Sequence, residues 1–152
     1  MRGRVRIETV VAACSIAAAC GGSQNVRPIL DLSNAPFDIV VSDVTGPCDF
    51  SVSPIANGQL TIDSHGTNTT FHFGGKDFVG TIDASDHFVV TLVQQFTYAD
   101  GCRWQSTDTI SETFPTSTTF DARTNYDETV LQGTVCAQAC YVQSHLTGQR
   151  RS

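Results

Sequence analysis

The sequence predicts a small all-β domain, a single antiparallel meander of about eight to ten strands forming either a barrel or a sandwich. Three observations predict it. From Phe37 onward apolar and polar residues alternate with period two, and Thr, Val and Phe are abundant. Turn-forming residues recur about every 8–12 positions, the spacing of a sandwich or barrel. No stretch after residue 20 carries a helical stripe of apolar residues.

The elements follow in order. Residues 21–36, rich in Gly, Ser, Asn and Pro, read as a flexible linker, and the β domain is expected to span 37–152. The first strand is expected over 39–44 and the second over 48–53, with Cys48, Phe50 and Val52 on one face. Asn57-Gly58 turns the chain into 59–63, with Leu60 and Ile62 inward. Strands 69–73 and 78–82 follow, with Phe71, Phe73 and Phe78 inward and His72 outward. The two longest candidates are 88–98 and 102–114, and 118–126, 129–136 and 140–148 complete the set; some of these are parts of one bent strand.

Register is readable at Ala99-Asp100-Gly101. A two-residue loop would pair Phe96 with Gln105 and turn Trp104 outward. A three-residue loop pairs Phe96 with Trp104 and Val90 with Ile110, and it places Gly101 where a left-handed residue is needed. A one-residue slip flips every side chain, so the apolar set selects the longer loop. The same parity at 136–140 would pair Thr134 with Val142 and Val130 with Leu146, setting Cys136 opposite Cys140.

The N-terminus has the layout of an export signal. Arg2, Arg4 and Arg6 precede an uncharged run over 9–19 that ends in Ala17-Ala18-Ala19-Cys20, followed by Gly21-Gly22-Ser23. The run is too short to span a bilayer, which takes about 20 apolar residues. Val11-Ala12-Ala13-Cys14 has similar letters, but a cut there would leave too short an apolar core after Glu8. The stretch ending at Cys20 resembles the lipobox of bacterial lipoproteins, with Ala17 where that family usually has Leu or Val. The resemblance implies removal of residues 1–19, a diacylglyceryl thioether on Cys20, and an acylated amine such as palmitoyl. It also implies the outer membrane, because Gly21 is not the aspartate that retains such proteins in the inner membrane of enteric bacteria. Ordinary secretion, with cleavage near Ala19, is the alternative.

Cleavage would remove three of the nine basic residues and one of the fifteen acids, making the mature chain more acidic than the −6 of the whole. Lys76 is the only lysine. Without a basic footprint, nucleic-acid binding is not expected, and a membrane link has to come from the lipid. Setting Cys20 apart leaves Cys48, Cys102, Cys136 and Cys140, an even set that reads as two disulfides in an exported chain. Three connectivities are open; pairing 48 with 102 and 136 with 140 is preferred on the hairpin parity above. Only Cys136 and Cys140 are close in sequence, so zinc is not expected.

Chemistry is sparse. His65, His72, His87 and His145 form no metal-spaced pair, and no nucleophile motif is present, so no cofactor and no enzymatic activity are expected. One anomaly stands out: Asp108 and Glu112 fall on the inward face of 102–114, among Trp104, Ile110 and Phe114. Charged groups are rarely buried unless paired. Either the strand bends and releases both acids to solvent, or they line a cavity with Gln94, Phe96, Trp104, Ser106 and Ile110, as in barrels that hold a small ligand. The latter would be a barrel resembling lipocalins in architecture alone, binding an apolar or amphipathic ligand. The alternative is an envelope module with a packed interior that contacts a protein partner the sequence does not identify.

Overall fold

The structure is a computed structural model, described here for residues 30–48, 55–133 and 135–152. The export signal, Cys20 and most of the expected strand 48–53 lie outside these residues. Eight strands form the domain: β1 (Leu32–Thr45), β2 (Gly58–His65), β3 (Asn68–Phe73), β4 (Lys76–Ile82), β5 (His87–Thr97), β6 (Arg103–Thr113), β7 (Thr119–Gln132) and β8 (Tyr141–Arg150). Each pairs antiparallel with the next, and β8 returns to β1, so the sheet closes into a barrel. Of the two architectures the sequence allows, closure selects the barrel, which removes exposed strand edges.

The β5–β6 hairpin has the expected register: Phe96 faces Trp104 and Val90 faces Ile110. Tyr98 N–H donates to Cys102 O (3.0 Å), and Gly101 takes φ 82° at the turn. The expected strands 118–126 and 129–136 merge into one β7, because Asp127 and Glu128 stay in the ladder, and it ends at Gln132 and not at 136.

Three expectations are corrected. β1 begins at Leu32, inside the stretch read as a linker, and both Leu32 and Ala35 are buried. A bulge between them, with Asn34 at φ 47°, inserts one residue and hides the alternation from a period-two reading. The disulfides join Cys48 to Cys140 and Cys102 to Cys136, with Cα separations of 5.4 and 5.8 Å, instead of 48–102 and 136–140. The short hairpin at 136–140 is absent: Val142 faces Tyr126 and Leu146 faces Ala122, so β7 and β8 are joined by a longer loop whose two cysteines reach different neighbours. Parity within the hairpin could not reveal partners that other strand pairings supply, β6 with β7 for Cys102 and Cys136, and β1 with β8 for Cys48 and Cys140.

Both cystines lie at one end of the barrel, with the β1–β2, β3–β4, β5–β6 and β7–β8 connections. The opposite end is filled by phenylalanine. Phe37, Phe71, Phe88, Phe114 and Phe120 pack in tilted and edge-on arrangements with ring centroids 5.0 to 6.3 Å apart. Gly148 on β8 makes room for one of them, since a Cβ there would lie 2.0 Å from the Phe120 ring. The β4–β5 turn seals this end. Leu30 N–H donates to Asp86 Oδ1 (3.2 Å) and Phe114 N–H to Asp86 O (3.0 Å).

Candidate functional site

The inner face of β6 changes character along its length. Ile110 is fully buried in the phenylalanine-rich core, whereas Ser106 and Asp108, 2 % and 3 % exposed, are buried toward the cystine end. Glu112 departs from the alternation. Its φ of 150° turns the side chain outward, where its carboxylate is half-exposed and lies 3.5 Å from Arg123 Nε. The two acids that parity placed together are therefore separated. Of the seven residues proposed to line a cavity, Gln94, Phe96, Trp104, Ser106 and Asp108 share the cystine end, Ile110 belongs to the packed core, and Glu112 leaves the interior.

Strand register assembles the neighbours. Asp108 stands between Leu92 on β5 and Tyr126 on β7, Ser106 between Gln94 and Glu128, and Trp104 between Phe96 and Val130. Lys76, at the start of β4, donates from Nζ to Gln94 Oε1 (3.0 Å). Tyr126 donates its hydroxyl to Glu128 Oε1 (2.6 Å), and the Thr124 and Ser144 hydroxyls bond each other across β7 and β8. Sequence reasoning missed Lys76, Tyr126 and Glu128. The first sits at a turn, Tyr126 is the last residue of an expected strand, and Glu128 falls in the break expected after it.

Burial governs the electrostatics. It pushes the Asp108 carboxyl up to about 7, with Asp127 raising it further and the Lys76 ammonium opposing. Burial and the bond to Glu128 also hold the Tyr126 hydroxyl well above the usual phenol range. Two buried polar atoms here, Asp108 Oδ2 and Trp104 Nε1, have no hydrogen-bond partner. Each such group costs roughly 1–3 kcal/mol, so the wall is built with unmet demand for one donor and one acceptor. Phe96 and Tyr98 (ring centroids 5.3 Å) and Tyr98 and Trp104 (6.4 Å) form an aromatic rim, with Tyr98 half-exposed.

The sheet is least complete beside this wall. The β4–β5 ladder runs only from Ile82–Phe88 to Val79–Thr91, while β5 pairs with β6 along its full length to Thr97. The paired register ends at Val79, and beyond it the Lys76–Gln94 bond links the two strands.

Two other groupings carry less chemistry. Ligand atoms of Cys48, Cys140 and Glu128 lie within 4.8 Å of one another, but the two sulfurs are bonded to each other and offer no thiolate to a metal. On the outer face, His145 contacts Asp121 Oδ1 (2.5 Å from Nε2) and Ser42 Oγ (3.4 Å from Nδ1) beside a groove of about 550 Å³ lined by Asp43, Ser111, Arg123 and Gln143. The Ser42 hydroxyl is also shared with Asp43 Oδ2 (3.2 Å), and Ser42, Asp43 and Asp121 are exposed. Catalytic charge stabilisation needs a water-excluded site, which this open surface does not provide. Comparison of the chain with protein-family models, curated proteins and solved structures gave no match.

Proposed function

We propose that this chain is an exported, lipid-anchored binding protein, without enzymatic activity, whose site is the cystine-end interior of the barrel and whose ligand is small and amphipathic. The observation that carries the reading is the pair of buried, unpartnered polar atoms, Asp108 Oδ2 and Trp104 Nε1, on one wall beside an aromatic rim. Ligand sites combine an apolar lining with a few placed polar groups. Pairing of Cys48, Cys102, Cys136 and Cys140 suits an oxidising compartment outside the cytosol. Attachment to the envelope, with the outer membrane as its place, rests on the lipobox-like residues ending at Cys20. Leu30, the first described residue, lies at the phenylalanine end, ten positions after Cys20. The intervening residues reach at most about 35 Å when extended.

The test is mass spectrometry of what the native protein releases on denaturation. A small molecule present with the wild type and depleted from Trp104→Ala supports the reading, and an equal yield from both or a clean blank contradicts it. The anchor is tested separately by palmitate labelling, expected in the wild type and lost in Cys20→Ser. A packed-interior envelope module is the second reading, favoured by the ring-filled opposite end, and it is the one a blank would leave standing.

A further inference from the structure

We infer that Cys48, Cys140 and Glu128 form a zinc site that is closed while the two cysteines are bonded to each other and opens when that disulfide is reduced. The inference goes beyond the binding reading above and does not depend on it.

Position selects these three residues. Their ligand atoms already lie within 4.8 Å of one another, and Glu128 Oε2 is 3.3 Å from Cys140 Sγ. A zinc-bound thiolate sulfur and carboxylate oxygen stand about 3.5 Å apart in a tetrahedral site. In the disulfide Cys140 has no S–H to donate, so the carboxylate gains no hydrogen bond from that sulfur. The other oxygen, Oε1, accepts from the Tyr126 hydroxyl (2.6 Å), the kind of outer bond that orients a ligating carboxylate. Two thiolates and one carboxylate suit zinc, whereas calcium and magnesium take oxygen ligands. The fourth tetrahedral position is left to water.

The main chain holds the set together without the S–S bond. Glu128 N–H donates to Cys140 O (3.0 Å), and Cys48 N–H donates to Tyr141 O (3.3 Å). With the cysteine Cα atoms 5.4 Å apart, side-chain rotation carries the freed sulfurs to the tetrahedral edge of about 3.8 Å. The second cystine lacks these features. Cys102 is buried, the Cys102 and Cys136 sulfurs face the Val135 and Gln132 carbonyls, and among the described residues no carboxylate joins them. Cys48 and Cys140 are both only partly buried, which gives an exchanging thiol better access to their bond.

A dithiol supplies the electrons. One of its thiolates attacks the disulfide, forms a mixed disulfide and releases one cysteine. Its second thiolate attacks the mixed disulfide and releases the other cysteine. The dithiol leaves as its own disulfide, and the protein has gained two electrons and two protons. Zinc then replaces the two thiol protons, which pass to solvent.

The test treats the purified full chain with limiting dithiothreitol under nitrogen, removes the reagent by gel filtration and titrates with Co²⁺, then Zn²⁺. Alkylation and mass mapping should find Cys48 and Cys140 free and the Cys102–Cys136 bond intact. One Co²⁺ per chain should bind with near-ultraviolet thiolate-to-metal bands, and Zn²⁺ should displace it. The oxidised chain and Cys48→Ser/Cys140→Ser should show neither. Tyr126→Phe should weaken Zn²⁺ binding about 10- to 100-fold, and Glu128→Gln by more; near-ultraviolet circular dichroism before reduction shows that each variant is folded. Equal binding by the oxidised chain or by Cys48→Ser/Cys140→Ser overturns the inference, as does undiminished affinity in Glu128→Gln. Opening of Cys102–Cys136 first overturns it too, as does a loss of the folded signal on reduction that zinc does not restore.

Discussion

The two ends of this barrel are built from the same strands and closed in opposite ways. At one end inward positions are apolar, and five phenylalanine rings fill the space with help from Gly148. At the other, Lys76, Gln94, Ser106, Asp108, Tyr126 and Glu128 occupy inward-facing or interior positions, and two disulfides hold the connections together. The first end is held by burial, worth roughly 25 cal/mol per Å² of apolar area. The second is held by covalent bonds that restrict the unfolded chain. Where a wall is kept polar, packing cannot supply the cohesion, and cross-links substitute for it.

The largest effect that can break this contrast is loss of a cystine. With partners 92 and 34 residues apart, the chain-entropy model gives about 4–5 and about 4 kcal/mol. Urea unfolding of Cys48→Ser/Cys140→Ser should show the larger loss, and hydrogen exchange should localise the loosening to the cystine end. Next, Phe88→Ala in the packed end should cost about 3–5 kcal/mol, whereas Phe96→Ala on the rim should cost about 1 kcal/mol because the ring is only partly buried. Equal costs would erase the distinction between the ends.

Asp108 sharpens it further. Its carboxyl is raised from 3.8 to about 7 in the folded chain. Between these values the folded state keeps a proton that the unfolded state has lost, so stability from this group is full below about pH 4. It falls as pH rises and is gone above about 7, a swing of about 4 kcal/mol. Asp108→Asn should flatten that part of the stability profile measured by urea unfolding from pH 4 to 8. Gly148→Ala should cost about 1–3 kcal/mol by crowding Phe120. Removing the exposed outer-face contact with His145→Asn should change stability by less than about 1 kcal/mol.

The β5–β6 hairpin was legible in the sequence because Trp104, Ile110 and Gly101 agree on one register, and any slip would misplace all of them. Presence of the polar wall was half legible. Alternation placed Asp108 inward correctly, but the same rule placed Glu112 there, and only a backbone turn at φ 150° removes it. Lys76 and Glu128 escaped notice because a lone charge next to a turn or an expected strand break looks like surface until closure fixes its face. The disulfide partners were not legible, since Cys102 and Cys136 meet only once β7 pairs with β6, and Cys48 and Cys140 only once β8 returns to β1.

The contrast between a sealed end and a receptive end depends most on Asp108 being buried with an unmet carboxylate oxygen. Carbon-13 NMR titration of the aspartate carboxyl groups, assigned by comparison with Asp108→Asn, measures this directly. A midpoint near 7 is the expected result; a midpoint near 4, the value of a solvated aspartate, would place Asp108 in water and remove the site.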